Sequence, residues 1–226
     1  MSKTLYLLRH AKSNWSTLDL ADEARPLSER GRQASQQLGR WWQQTHQPLP
    51  QWIACSSAKR TQDTLLWLAR SACWPLGEMD TDDDNNACGG NRPLQEGSPA
   101  ICLETSLYLA TKSTLLSYLQ TKVPRSVERL LLIAHQPGIQ ELALALLAPH
   151  PAKETHCGQE RPDTERPADA QLPERLGDRL ALAEKYPTGG LVVLHFAQAD
   201  HWQAVGEGCG ALVHFIRPRL LPTETP

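Results

Sequence analysis

Three short apolar runs, separated by segments with helical spacing, constrain the fold of this chain more than any other feature. They span residues 5–8, 52–55 and 129–134. Short, nearly continuous apolar runs are typical of strands that are buried on both faces, as in a parallel sheet. Strands that alternate with helices predict an α/β fold with a mostly parallel sheet.

The remaining elements are predicted from periodicity and from turn residues. We expect helices at residues 26–44, 59–72 and 107–119, another between Gln136 and Pro149, and a short one at about 173–184. Further strands are expected at residues 101–103, 191–196, 202–205 and 211–216. Two polar stretches, at about 73–100 and 150–187, interrupt this order. We therefore predict a single domain over residues 1–226 with two polar excursions.

Composition narrows the class of protein. The chain has 226 residues, a net charge of −2 and no lysine-rich block, which argues against a nucleic-acid partner. The amino-terminal residues meet charge too early for a signal peptide, and no run approaches the ~20 apolar residues of a membrane helix. The six cysteines form no close pair, so we expect no disulfide framework. We predict a soluble, cytoplasmic protein without a membrane partner.

Polar side chains follow each of the three apolar runs. Arg9 and His10 follow the first run, Arg60 lies one helical turn beyond the second, and His135 follows the third. Ligands bind beyond the carboxyl ends of the strands in an open parallel sheet, so we expect these four side chains to share one crevice. The helices that begin there direct free N–H groups and positive dipole ends to the same place. Together these features predict an anion site.

Phosphate is the anion that best fits such a site, because guanidinium groups pair with its oxygens. No P-loop or Rossmann glycine pattern is present, so we predict no cofactor. We also predict no metal site. His150, His156 and Cys157, like the pair His195 and His201, are interpreted as loop or surface residues rather than metal ligands.

The two histidines suggest covalent chemistry. A neutral imidazole is a nucleophile, and its reference pKa is roughly 6.5. Nearby arginines disfavour a further positive charge, so we expect one histidine to be unprotonated near neutral pH and able to attack phosphorus. The arginines and the other histidine would stabilise charge on the phosphoryl oxygens. Water would then hydrolyse the resulting phosphohistidine.

Several motifs resemble one known family. The segments LLRHAKSNW, ERGRQA, SSAKRTQDT and AHQPGIQEL are similar, in order and spacing, to the motif series of the histidine phosphatase superfamily. The segments RPLSERG, ETSLYLA and GGLVVLHF resemble, more narrowly, its short SixA-type phosphohistidine phosphatases. The resemblance covers about the whole chain except residues 73–100 and 150–172. It implies a three-layer α/β/α fold of the phosphoglycerate mutase type.

The resemblance also implies roles for individual residues. His10 would be the nucleophile that becomes phosphorylated, Arg9 and Arg60 would bind the phosphoryl group, and His135 would complete the pocket. Arg25 aligns with a recurrent arginine of the SixA branch, but a structural, salt-bridged role is the favoured interpretation.

Four further side chains are candidates for the site. Glu104 is a candidate proton donor, with a surface position at a strand end as the alternative. Ser13, Asn14 and Ser57 are candidate hydrogen-bond donors near the phosphate, but local capping explains them about equally well.

The predicted function is hydrolysis of phosphohistidine on a protein, through a phosphohistidine enzyme intermediate. A clear proton donor is missing, which favours a phosphoramidate substrate because the released imidazole nitrogen is readily protonated. Two alternatives stay open. One is a phosphatase for small phosphate esters such as sugar or nucleotide phosphates, with the two excursions forming a lid. The other is a non-catalytic phosphate-binding module.

Overall fold

The computed structural model describes residues 2–16, 19–75, 97–147 and 172–222. Most of the two predicted excursions therefore lies outside the described residues, and so does any lid that they would form. None of the described helices has the length and apolar character needed to cross a membrane. The predicted cytoplasmic location stays a prediction.

A six-stranded sheet forms the centre of the protein, with strand order β3-β2-β4-β1-β5-β6. Its strands are β1 (Lys3–Arg9), β2 (Trp52–Ser56), β3 (Ala100–Glu104), β4 (Arg129–Ala134), β5 (Leu191–Phe196) and β6 (Ala211–Ile216). The first four strands in this order are parallel to one another, whereas β5 is antiparallel to β1 and β6 is antiparallel to β5. The prediction of a mostly parallel sheet is confirmed.

Helices cover both faces of the sheet. They are α1 (Glu29–Gln44), α2 (Lys59–Ser71), α3 (Lys112–Lys122), α4 (Gly138–Leu146) and α5 (Leu172–Glu184). Successive strand residues point to opposite faces. In β1, Tyr6 and Leu8 pack with apolar residues of α1 and α2, whereas Leu5 and Leu7 pack with those of α3, α4 and α5. The three-layer α/β/α architecture is therefore confirmed.

Two predicted elements are wrong. Residues 107–119 do not form one helix, because Thr105–Leu107 is a 3₁₀ turn, Leu109 has a φ of 47°, and α3 begins only after the N-cap Thr111. Residues 202–205 form the 3₁₀ turn Trp202–Ala204 instead of a strand. There the buried Trp202 indole donates a hydrogen bond to the Val127 carbonyl at 2.8 Å. The turn therefore buries this side chain without pairing to another strand.

Candidate active site

The carboxyl ends of β1 and β4 and the start of α2 bring the four predicted side chains together. Arg9 ends β1 and pairs with the last residue of β4. The ring centroids of His10 and His135 are 5.1 Å apart. In the first turn of α2, Nη2 of Arg60 lies 3.4 Å from Nδ1 of His135. The predicted crevice therefore lies at this edge of the sheet.

Both imidazoles are neutral at pH 7. Burial, assisted by the positive charges of Arg60 and Arg9, lowers the pKa of His10 to about 4. Burial, followed by the effects of His10 and Arg60, lowers the pKa of His135 to about 3. The carboxylate of Asp22 opposes both shifts without reversing them.

The backbone holds the His10 ring in one tautomer. Nδ1 of His10 lies 2.7 Å from the carbonyl oxygen of Ala11. Because a carbonyl oxygen only accepts, Nδ1 of the neutral ring carries the proton and Nε2 keeps a free electron pair. Ala11 is itself fixed, since its N–H donates to Oγ1 of Thr64 at 3.0 Å. His10 thus presents a nucleophilic nitrogen.

Ser56 orients His135 and is a residue that sequence reasoning missed. Nε2 of His135 lies 2.8 Å from Oγ of Ser56, while Nδ1 faces the Arg60 guanidinium, which can only donate. Nε2 of the neutral ring therefore carries the proton and donates it to Ser56. Its position in the sequence could have identified it, because Ser56 is the last residue of β2 and β2 lies directly beside β4.

The two arginines are held differently. The buried Arg60 guanidinium donates to the carbonyl of Asp22 at 2.5 Å and to its carboxylate at 2.9 Å. Arg9 donates to the carbonyl of the buried Tyr186 at 2.6 Å. Among the described residues, no carboxylate forms an ion pair with Arg9. The crevice therefore has a positive charge that a bound anion can neutralise.

Helix ends add to this positive potential. Neither α2 nor α4 has a side-chain cap at its amino terminus, and both helices begin at the same edge of the sheet as the arginines. The positive end of the helix dipole favours an anion at such a position.

Asp22 and Tyr108 complete the site, and neither was predicted. The Tyr108 hydroxyl donates to Oδ2 of Asp22 at 2.6 Å, and its ring packs edge-on against that of His135 with centroids 5.4 Å apart. This hydrogen bond, together with Arg60, lowers the pKa of Asp22, so its carboxylate is ionised at pH 7. The signal for Asp22 was weak, because it lies in a polar segment with other acids.

Glu104, the predicted candidate acid, lies in different surroundings. It closes β3 beside Ser56, and its carbonyl accepts the N–H of Ser57 at 3.3 Å. The negative charge of the Glu104 carboxylate helps to raise the pKa of the Tyr118 hydroxyl in α3. In contrast, the carboxylate of Asp22 is the one whose charge raises the pKa of both His10 and His135. A role for Glu104 in proton donation stays a prediction.

The three candidate hydrogen-bond donors contact neighbouring protein groups. Oδ1 of Asn14 accepts the N–H of Ser16 at 2.9 Å. Ser57 donates its hydroxyl hydrogen to the carboxylate of Glu23. Ser13 is buried, and it forms an isolated bridge to the chain segment that precedes α1. These contacts favour the local structural interpretation for all three.

Arg25 has a structural environment. Its Nε lies 4.0 Å from Oδ1 of Asp22, and its guanidinium lies 4.4 Å from the centroid of the Trp15 ring. The residue is 8% exposed. It therefore links the loop after β1 to the turn that contains Asp22, as the salt-bridged interpretation predicts.

Two glycines allow the loops of the site to approach the helices. A Cβ at Gly31 would lie 2.2 Å from the carbonyl oxygen of Lys12, in the loop that follows His10. A Cβ at Gly138 would lie 2.0 Å from the carbonyl oxygen of Ala110, in the loop that carries Tyr108. Glycine is required at both positions because only a backbone without a side chain permits such close approach.

Within the described ranges, no group of three or more histidine, cysteine, aspartate and glutamate side chains is arranged to hold a metal ion. His195 lies in β5 opposite Thr4, and His201 caps a 3₁₀ turn. The other candidates, His150, His156 and Cys157, lie outside the described residues.

Comparison with known proteins identifies the class. The model of the histidine phosphatase superfamily (branch 1) matches residues 5–82. The uncharacterized protein Rv1276c of Mycobacterium tuberculosis is 30% identical over 213 residues, which cover 94% of this chain and 100% of that relative. The chain belongs to the histidine phosphatase superfamily. The predicted class of enzyme, a hydrolase that removes phosphate groups, is confirmed with it.

Solved structures show the same fold. The putative phosphohistidine phosphatase SixA from Nakamurella multipartita is similar with a TM-score of 0.64 and 20% identity, over 96% of this chain and 97% of that one. The protein histidine phosphatase SixA complexed with tungstate is similar with a TM-score of 0.58 and 15% identity, over 97% and 99% of the two chains. These similarities show that the chain shares the fold of those two structures.

Proposed function

We propose that this phosphatase hydrolyses phosphohistidine on a protein, with His10 as the residue that becomes phosphorylated. The observation that carries the proposal is the neutral His10 ring with its free Nε2, in a crevice where the charges of Arg60 and Arg9 lower its pKa and the Asp22 carboxylate is ionised.

The first step is transfer of the phosphoryl group. Its oxygens pair with the guanidinium groups of Arg9 and Arg60, and on Arg60 they replace the carboxylate of Asp22. Nε2 of His10 attacks phosphorus, and the P–N bond to the substrate imidazole breaks. When the substrate ring carries a proton on its other nitrogen, it leaves as neutral imidazole and requires no proton from the enzyme.

The second step is hydrolysis. Water attacks the phosphorus of phosphorylated His10, the new P–N bond breaks, and inorganic phosphate leaves with the oxygen of that water. The two protons of the water are shared between phosphate and solvent, and the neutral His10 ring is regenerated. During both steps the arginines and the amino termini of α2 and α4 stabilise the negative oxygens around phosphorus.

The state of Asp22 is the reason for preferring phosphohistidine to an alkyl ester. An alkoxide leaving group needs a proton as the P–O bond breaks, and a general acid must be protonated to supply it. The Tyr108 hydrogen bond is the largest cause of the lowered pKa of Asp22, and it does not depend on the contact with Arg60 that the substrate replaces, so this carboxyl group does not hold a proton at pH 7. A phosphoramidate has no such requirement.

The test measures phosphate release from a histidine-phosphorylated protein and from a panel of sugar and nucleotide phosphates. We expect release from phosphohistidine, loss of that activity in His10→Ala, and acid-labile phosphate on His10 after a rapid quench. His46→Asn, which changes an exposed histidine outside the site, is the matched control. Undiminished turnover in His10→Ala would refute the mechanism, and a strong preference for a small ester would refute the substrate. Anion binding without turnover of any substrate would instead indicate a binding module.

A further inference from the structure

Three large apolar side chains are exposed near the catalytic crevice. They are Trp15, which is 63% exposed, Leu20, which is 37% exposed, and Leu109, which is 53% exposed. We call these three residues the apolar rim. Exposed apolar groups that cluster at one place, unlike single ones, mark surfaces that contact another molecule.

Each member of the apolar rim lies near Asp22, either in the chain or through a contact of its neighbour. Leu109 follows Tyr108, whose hydroxyl donates to the Asp22 carboxylate. Leu20 precedes Asp22 by two residues in the chain. The Trp15 ring packs against the Arg25 guanidinium, whose Nε lies 4.0 Å from the same carboxylate. Because Asp22 binds Arg60, the apolar rim lies beside the group that receives the phosphoryl oxygens.

The fold does not explain a leucine at position 109. Its φ of 47° is in the left-handed region, which glycine and asparagine adopt more readily than leucine does. Its side chain is also too exposed to gain much from packing in the core. Residues held in a disfavoured backbone conformation are concentrated at functional sites, which is the interpretation that the position of Leu109 favours.

We propose that the apolar rim docks the folded protein that carries the phosphohistidine, and that the phosphorylated histidine of this partner is surrounded by apolar side chains. The inference rests on the proposed function. A sugar phosphate is polar beyond its phosphate, and a nucleobase, which can stack on one tryptophan, is too small to cover two leucines as well. The rim comes from two separate chain segments, so a partner that covers it must be wider than one residue. Aromatic side chains are enriched in the buried core of protein interfaces, and tryptophan is among the residues that contribute most to binding there.

The test compares a large and a small substrate. The large one is a folded protein with apolar residues around a single surface histidine, phosphorylated with potassium phosphoramidate, and the small one is free phosphohistidine. We expect Leu109→Asn and Trp15→Ser to lower kcat/KM for the phosphoprotein at least tenfold, mainly through KM, and to change kcat/KM for free phosphohistidine less than twofold. Leu180→Ser on α5, where the leucine is 65% exposed, is the matched control and should change neither.

The stability of Leu109→Asn separates function from folding. Because asparagine tolerates this backbone conformation, its Tm should equal or exceed that of the wild type while its activity on the phosphoprotein falls. An equal fall on both substrates, or no fall on either, overturns the docking proposal. So does a wild-type dimer that dissociates in Trp15→Ser, because the rim would then bind a second copy of the chain.

A binding measurement distinguishes failure of this inference from failure of the proposed function. Hydrolysis of free phosphohistidine by the wild type tests the reaction without the rim. In the inert His10→Ala background, calorimetric titration with the phosphoprotein tests the rim without the reaction. We expect Trp15→Ser to weaken that binding at least tenfold, and an unchanged Kd overturns the docking surface whether or not the enzyme turns over.

Discussion

Acid should destabilise the folded protein through His10. In the unfolded chain an imidazole binds a proton below about pH 6.5, whereas folded His10 stays neutral down to about pH 4. Between these values the unfolded state binds more protons, so the free energy of unfolding decreases as the pH falls through this window. At pH 5 the contribution of His10 amounts to about 2 kcal/mol.

The perturbation that isolates this effect is His10→Asn. The asparagine amide nitrogen can occupy the position of Nδ1 and donate to the Ala11 carbonyl, but it does not titrate. Urea unfolding at pH 7.5 and at pH 5 should show a drop in stability that is smaller by about 2 kcal/mol in the variant than in the wild type. His46→Asn, at an exposed position, is the control and should behave like the wild type. Equal drops in His10→Asn and the wild type would show that His10 titrates normally and is not held neutral by the fold.

A chemical probe tests the same claim without unfolding. Diethyl pyrocarbonate modifies neutral imidazole, so mass spectrometry of the His10 peptide should show a rate that declines near pH 4. A decline near pH 6.5 would refute the assignment of a neutral, half-buried nucleophile.

Two further perturbations test other contacts of the site. Asp22→Asn keeps the backbone carbonyl that binds Arg60 but removes the carboxylate charge that competes with phosphate. Because the Asp22 side chain is 43% exposed, solvent screens this charge, and the free energy of phosphate binding should change by roughly 0.5–1 kcal/mol. The inhibition constant of inorganic phosphate should therefore fall about two- to fivefold, and weaker inhibition would contradict the competition. Gly138→Ala should reduce the free energy of unfolding by about 2 kcal/mol or more, because its Cβ would lie 2.0 Å from the Ala110 carbonyl oxygen. Gly177→Ala, on α5 with no atom within 4 Å of the new Cβ, should raise stability by up to about 1 kcal/mol, and equal effects of the two changes would contradict the close approach.

Local pattern was sufficient to predict most of the sheet. The apolar runs that became β1, β4 and β5 are buried on both faces, so their hydrophobicity is continuous and they are easily distinguished from helices. The prediction of secondary structure failed where a short apolar segment is buried by a turn instead of by a strand or a helix. Trp202 and the segment around Leu109 are such cases, because periodicity does not report a 3₁₀ turn or a positive φ.

The site was predictable only where its residues follow strands. Arg9, His10 and His135 come directly after apolar runs, so the rule for parallel sheets places them at one edge. The contact between Asp22 and Tyr108 joins residues that are 86 positions apart, and both lie in connecting segments. No local pattern encodes such a contact, because it depends on how two loops are folded over the edge of the sheet.

The same burial has opposite consequences for the two kinds of basic group in the crevice. An imidazole can lose its proton, so burial makes His10 and His135 neutral and leaves an electron pair on His10 for attack. A guanidinium resists deprotonation far more strongly than an imidazole does, and the buried guanidinium of Arg60 pairs with the carboxylate of Asp22. Because the arginine charge also disfavours protonation of the histidines, the groups that attract the phosphoryl anion are the ones that keep the nucleophile free. Replacing Arg60 by a neutral residue would therefore weaken substrate binding and raise the pKa of both imidazoles at once.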